Sequence, residues 1–455
     1  MSLSKNKAEE MIKKGDFPYT PYPFYLGYAA SYVSTLCDLF FIDGVVLNYN
    51  QDEFIHKAIM ISPDLLVIEA PTLGFSLIME VCKIIKEHTQ CKVAVTGIHV
   101  SSEYLQSMAE FSVIDYILLN EFEETLRDLI EKNLDGTGIK GLLYRNKGKI
   151  VNNGPRPVIK NISALPFPFR DQSAVFYNDF TLVGNPNIQI LTSRGCPVGC
   201  RFCYTTAFFE NPIYRGRNAD NVVEEIKYVI DRFHPKQLYF DDDTITINPK
   251  HIKEVSEAII KEGIDIPWTC MGDITVKRDT LKLMKKAGCI GMKFGVESPN
   301  PETLKKMHKG IVTANNTMKF REMLKEEKIW AHATFSLGHP GDNPEVLKAT
   351  IDFARKLSPN SLQTSIATPI VGTPFYKESV EQKWIITDNY NAFDGNKGSV
   401  LSYDGLSNRQ IDAIRSQFED FWNKERLKPI MAITNIIYKR KLIMARIMKN
   451  YPKVF

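Results

Sequence analysis

Short apolar runs separated by longer amphipathic stretches recur from about residue 65 to residue 376. Leu65–Ala70 reads LLVIEA, and Val93–Thr96 and Tyr116–Leu119 follow as brief apolar segments. Each suits a strand buried on both faces. Between them, Phe75–Glu87 and Ser101–Glu110 place apolar residues at helical spacing. Strands alternating with helices predict a doubly wound parallel sheet over residues 1–155. Ligands in such sheets sit beyond the carboxyl ends of the strands, which singles out Pro71–Leu73, Gly97–Ser101 and Asn120–Glu124.

From Ile139 the pattern changes to a hairpin turning at Asn146-Lys147-Gly148, then a Pro-rich linker over residues 156–180. Strand and helix patterns resume over 181–376, with strands expected at Gln237–Asp241, Ile266–Cys270, Gly291–Val296, Trp330–Phe335 and Ser361–Ala367. Counting Ile188–Leu191, six strands with intervening helices such as Val222–Phe233 and Pro344–Lys356 predict a partial (β/α)6 barrel. Residues 377–455 read as helical, with Asn408–Glu425 carrying Ile411, Ile414, Phe418 and Phe421 on one face.

Chemistry concentrates where the first barrel strand ends. Leu191–Cys203 reads LTSRGCPVGCRFC, which sets Cys196, Cys200 and Cys203 in a C-x-x-x-C-x-x-C spacing. A structural zinc site takes four protein ligands, and the next cysteine is Cys270. Three thiolates leave one iron of a [4Fe–4S] cluster open to a small molecule. The alternatives are three unrelated core cysteines or an incomplete zinc site.

Composition adds limits. The 455 residues are 44% hydrophobic and 24% charged, an ordinary globular balance, and no apolar run approaches the roughly 20 residues needed to span a bilayer. The first residues lack the apolar core of a secretory signal, so a cytoplasmic location is expected. Eight cysteines are too few for a disulfide scaffold, and Cys37, Cys82, Cys91, Cys270 and Cys289 are expected to be buried small hydrophobes. The net charge is +4, yet Arg426–Phe455 holds eight Lys or Arg and no acid. Its segment Pro429–Lys449 is a basic amphipathic helix, suited to an anionic membrane surface or to closing the barrel with a solvated basic face. No aromatic-rich basic patch points to nucleic acid.

The cysteine spacing, with Phe202-Cys203-Tyr204, resembles the signature of the radical S-adenosylmethionine enzymes. There the open iron is chelated by S-adenosylmethionine, which an electron from the cluster cleaves to a 5′-deoxyadenosyl radical. The resemblance covers about residues 20–376 and extends to each strand end. Asp241-Asp242-Asp243 could bind a metal or cap a turn. The resemblance implies instead that one or two of them accept from the methionine amino group, and alternation puts Asp241 and Asp243 on one side. GVES implies that Glu297 and Ser298 hold the ribose. FSLGHPGD implies that Gly338 lets the backbone approach the adenine, which Phe202 also reaches, and ATPIVGTPF shapes a further loop. His339 stands where leucine is usual, either as a general base or as a packed side chain.

The first 155 residues resemble the cobalamin-binding domain often fused ahead of such barrels, through Pro63-Asp64, TGIHVS and DYILLNEFEET. This implies cobalamin contacts from Thr72, Leu73, Gly97, Ile98, His99 and Glu121. The D-x-H-x-x-G motif is absent, and Ile98 replaces a usual glycine. A sheet that only orients the barrel is the alternative. Members with this domain order mostly methylate unactivated carbon in small molecules, lipids or peptides, using a flavodoxin- or ferredoxin-type electron donor. Radical cyclisation, rearrangement or carbon–carbon coupling on the same cofactors is the second expectation, and a sensor without turnover the third.

Overall fold

The computed structural model describes residues 20–209, 213–310 and 312–426. Two sheets organise it. The first has the order β1 (Leu65–Glu69), β2 (Lys92–Thr96), β3 (Tyr116–Leu118), β4 (Leu142–Asn146), β5 (Lys149–Asn152). β1, β2 and β3 are parallel, while β4 and β5 are the expected hairpin and extend the sheet antiparallel. Both faces are covered. Phe75, Met79, Cys82 and Ile85 of helix Phe75–Thr89 pack with Val93, Val95 and Ile117 on one face, and Ala29, Val33, Phe122, Leu126 and Leu129 pack with Ala94 and Leu118 on the other. The helix expected over Ser101–Glu110 is divided into Ile98–Ser102 and Tyr104–Glu110, with Glu103 between them outside helical geometry.

The second sheet is built from β6 (Asn187–Ile190), β9 (Gln237–Phe240), β10 (Trp268–Gly272), β11 (Cys289–Glu297), β12 (Trp330–Leu337) and β13 (Ser361–Ile366), all parallel in that order. A two-stranded pair, β7 (Ser193–Arg194) and β8 (Arg215–Gly216), sits between β6 and β9 in the chain. The sequence places the third of these strands at Ile266–Cys270, whereas β10 starts two residues later, because Pro267 cannot donate to the ladder.

Period-two alternation divides the barrel's two surfaces. Phe240, Cys270, Met292, Phe294, Ala333 and Phe335 join the large core under the helices. Facing inward are Tyr239, Lys293 and His332, and the register aligns Met271 with Lys293, Lys293 with His332 and His332 with Ser361. The linker supplies a floor to this lumen, where Phe180 and Leu182 pack against Tyr239, Ile290 and Trp330. Gln237 anchors that floor, its Oε1 accepting from the Leu182 amide at 2.8 Å and its Nε2 donating to the Phe180 carbonyl at 2.8 Å.

Helix Asn408–Arg426 buries Ile411, Ile414 and Phe418 against the barrel, as its pattern predicts. Among the described residues no helix is long and apolar enough to cross a membrane. The basic segment Pro429–Lys449 lies outside them. Cys82, Cys91, Cys270 and Cys289 are buried as expected, but Cys37 is exposed, in the turn after helix Phe24–Val33.

Candidate active site

The three cysteines lie on a loop that leaves β7 and is held at both ends. Gly195 has φ +84, and a Cβ there would stand 2.4 Å from the Ile213 carbonyl oxygen, so glycine is required before Cys196. Asp243 accepts from the Gly195 amide at 2.8 Å through Oδ2 and from the Tyr204 hydroxyl through Oδ1. Asp242 is buried and secures the approach, accepting from the Thr192 amide at 3.1 Å, the Thr192 hydroxyl at 2.8 Å and the Ser193 hydroxyl. In the middle, the Arg201 amide donates to the Met307 carbonyl at 3.1 Å, and the Phe375 amide donates to the Arg201 carbonyl at 3.1 Å.

Cys196 is buried, and Cys200 and Cys203 are half-buried. Burial pushes all three thiols up; for Cys200 the result is about 11, with Lys309 opposing and Cys203 and Cys196 adding to the rise. The thiols therefore act on one another and on a nearby ammonium. Among the described residues, no three His, Cys, Asp or Glu side chains close on a single ion.

Lys309, in the turn after helix Pro301–Lys306, returns to the end of β11. Glu297, with φ +60, accepts from Lys309 Nζ at 2.5 Å, and both side chains are largely buried. Gly295 makes room for that pair: a Cβ there would lie 2.2 Å from Glu297 Oε1 and 2.3 Å from Lys309 Nζ. Glu297 and the Cys200 and Cys203 thiols together hold the Lys309 ammonium above its ordinary pKa despite burial, which works against it. Ser298 is buried and shapes the next turn, its Oγ accepting from the Asn300 amide at 3.2 Å.

After β12, Asp342 accepts from the Gly338 and His339 amides at 3.0 Å each. Gly338 has φ +86, and a Cβ there would meet Ile411 at 3.0 Å, so helix packing as well as backbone conformation requires glycine here. His339 is 1% exposed, with Nε2 2.7 Å from Ser336 Oγ and its ring between Phe202 and Phe375. Burial, with Lys309 adding, pushes its pKa down to about 3, so it is a packed neutral histidine and a poor general base.

The loops of the first sheet approach this region. Thr72, Gly97, Ile98 and His99 gather at the ends of β1 and β2, where His99 Nδ1 lies 3.3 Å from Thr72 Oγ1 and its ring lies tilted against Phe75 with centroids 4.2 Å apart. Leu73 beside them is 37% exposed. Helix Ile98–Ser102 packs on Thr205–Phe208, just past Cys203, and Ser102 Oγ reaches the Val371 carbonyl at 3.4 Å. Glu121 does not join the group. It is buried, accepting from Arg194 at 3.0 Å, Arg215 at 2.7 Å and the Ile159 amide at 3.1 Å, so its carboxylate is committed to the barrel side. A surface cleft of about 630 Å³ lined by Tyr32, Glu124, Lys140 and Arg156 lies elsewhere and includes none of these residues.

The profile of the Radical SAM superfamily matches residues 190–354. An uncharacterized methyltransferase of Pyrococcus horikoshii, PH0819, is 30% identical over 439 residues, which span 95% of this chain and 94% of that protein. The chain belongs to the radical S-adenosylmethionine superfamily. Two solved structures share its fold. The cobalamin-dependent radical enzyme OxsB, seen with aqua-cobalamin and S-adenosylmethionine, superposes with a TM-score of 0.71 at 16% identity, covering 96% of this chain and 74% of that one. The methyltransferase TsrM from Kitasatospora setae superposes at 0.68 with 19% identity, covering 81% and 75%.

A radical S-adenosylmethionine enzyme uses a [4Fe–4S] cluster and S-adenosylmethionine, and the donor set suits the first: three cysteine thiols on one loop, with the next cysteine, Cys270, buried in the core under the helices. Sequence reasoning missed Lys309, Arg194 and Tyr204. The K-G pair at Lys309-Gly310, twelve residues beyond Glu297, reads as a solvated turn until the fold brings it back to β11.

Proposed function

We propose that this chain is a cobalamin-dependent radical methyltransferase that places a methyl group on an unactivated carbon of a small molecule. The observation that carries the proposal is the loop bearing all three cysteines, bonded at Arg201 to the turn that leads to the Glu297–Lys309 pair and packed beside the strand-end loops of a second sheet. When bound, the cluster and S-adenosylmethionine supply a carbon-centred radical, and cobalamin supplies the methyl group.

The protein's own part is positioning and exclusion of water. Cys196, Cys200 and Cys203 hold the cluster on a loop fixed by Asp243. Glu297 and Ser298 are assigned to the ribose, and Lys309 offers an ammonium for a carboxylate. Phe202 and the backbone at Gly338 would hold the adenine, while Thr72, Leu73, Gly97, Ile98 and His99 would hold cobalamin. Asp243 is a positioning residue for the cysteine loop, because both its oxygens are already taken by Gly195 and Tyr204. The packing of Ile98–Ser102 on Thr205–Phe208 supports a closed arrangement of the two sheets' ligand ends.

The test is incubation of the anaerobically reconstituted protein with S-adenosylmethionine, reductant and methylcobalamin. S-adenosylhomocysteine together with 5′-deoxyadenosine is expected. Deoxyadenosine alone would replace methyl transfer with a cyclisation or coupling reaction, and neither product would end the enzymatic reading. Cys200→Ala is expected to abolish both the cluster's visible absorption and deoxyadenosine formation.

A further inference from the structure

The lumen of the barrel is charged where such barrels are usually filled by branched apolar side chains. Lys293, half-way along β11, points inward and donates to Asp179 Oδ1 of the linker floor, and both side chains are buried. Asp241 continues the inward row from Tyr239, its amide bonded to the Ile190 carbonyl at 2.9 Å. His332 sits across the ladder from Lys293, its Nδ1 2.8 Å from Ser361 Oγ. The lumen therefore holds two carboxylates, one ammonium and an imidazole.

Three features leave this group incomplete. Asp179 Oδ2 is buried without a hydrogen bond although its residue is 93% enclosed, at 7% exposure. His332 Nε2 is buried without a partner. Among the described residues the Asp241 carboxylate has neither hydrogen bond nor ion pair. Burial, then Asp179, pushes the Asp241 carboxyl well above its ordinary range, with Lys293 opposing. A buried charge without a counterpart costs stability, so an unmatched one inside a lumen is retained for a ligand more readily than for the fold.

Asp241 is also set apart from the cofactor residues. Its neighbours Asp242 and Asp243 are bonded to the cysteine loop and its approach, while Asp241 is bonded through its amide to Ile190 and stands two residues beyond inward-facing Tyr239.

We propose that Asp241 and Asp179 form a substrate subsite for a protonated nitrogen, an amine or guanidinium, with His332 as a further hydrogen-bonding partner and Lys293 fixing Asp179. The proposal rests on the methyltransferase reading for placing the substrate in the barrel lumen. It names the class: the reacting molecule carries a cationic group near the carbon to be modified, and a purely hydrocarbon or anionic end is disfavoured. A cation there would be held by charge-assisted hydrogen bonds and would restore neutrality to the lumen.

The test uses saturation-transfer NMR on the reconstituted full-length holoenzyme with n-butylammonium, its neutral counterpart n-pentanol, and butyrate. Wild type is expected to bind the ammonium probe about tenfold more tightly than either other probe. Asp241→Asn, close to isosteric, should erase that preference. Met271→Lys, which places a cation beside Asp241 in the same layer, should erase it independently. Thermal melts check that both variants fold. Equal affinity of the three probes for wild type, or a preference that survives in Asp241→Asn, would overturn the subsite. Deoxyadenosine assayed on the same sample keeps the two readings apart. Its formation without amine preference removes only the subsite, and amine preference without deoxyadenosine removes only the methyltransferase reading.

Discussion

Behind the cysteine loop Arg194 lies between Glu121 and Glu123, at 3.0 and 2.7 Å, with Arg215 closing on Glu121 from the other side, whereas in the lumen a single lysine faces two carboxylates. The first cluster is matched in number and roofed by Tyr25 and Tyr28, whose rings stand 4.8 and 4.7 Å from the Arg194 guanidinium. Adjoining it, Glu225 lies between Arg170 and Arg217, one carboxylate held by two guanidiniums. Burial alone would raise Glu121 and Glu225, but the guanidiniums outweigh it and hold both carboxyls below their usual range; at Glu123 burial wins over Arg194. In the lumen nothing comparable offsets the burial of Asp241. Matched charge fixes backbone, here the strand that leads into Cys196. Unmatched charge keeps a place for something else.

Breaking the matched cluster should have the largest effect. Arg194→Met strands Glu121 and Glu123 and is expected to cost about 3–5 kcal/mol, measured by urea denaturation of the apo-protein. The cluster's absorption should fall with it, because Arg194 directly precedes Gly195 and Cys196. Full stability in that variant would make the network ornamental.

The Glu297–Lys309 pair lies between the two plans, matched in charge yet beside the thiols. Glu297→Ala should weaken S-adenosylmethionine binding by about 1–3 kcal/mol, read in an equilibrium titration. Unchanged affinity would remove Glu297 from the ribose.

The smallest effect should have the opposite sign. Asp241→Asn is expected to stabilise the ligand-free protein by about 1 kcal/mol at pH 8, since it removes the charge of a half-buried carboxyl that folding favours in its neutral form. A carboxyl raised by folding stabilises fully below its unfolded pKa and loses that contribution as pH rises through the folded value. The variant's advantage should therefore grow upward from about pH 4 and vanish below it. Glu121→Gln should behave in reverse: its deficit is present at neutral pH and closes as acid protonates the wild-type carboxylate below about pH 4. Parallel denaturation curves at pH 4, 6 and 8 would expose any failure of this contrast.

Much of the site was legible because its residues speak locally. The cysteine spacing, the glycine before Cys196, and GVES all encode backbone requirements within a few residues, as Gly295 and Gly195 demonstrate. The strands were legible from short apolar runs. What escaped reading was charge that travels. Glu121 stands 94 residues from Arg215, and a charged pair at that separation reads as two solvated side chains. Asp179 lies in a linker whose proline-rich composition suggested only a connection, although it carries the lumen's floor and one of its carboxylates. Period-two alternation did place Asp241 and Asp243 on one side in the sequence, yet beyond Asp241, whose amide still bonds to Ile190, the chain leaves strand geometry, and the Asp243 carboxyl goes to the cysteine loop.

β6 and β13 are the two edges of the six-stranded sheet and do not pair with each other. The ring is therefore completed by other parts of the chain: helix Asn408–Arg426 packs along β13, and the Tyr22 amide donates to Gln189 Oε1 of β6 at 2.7 Å, so the seam of the barrel is sealed by segments from its two far ends.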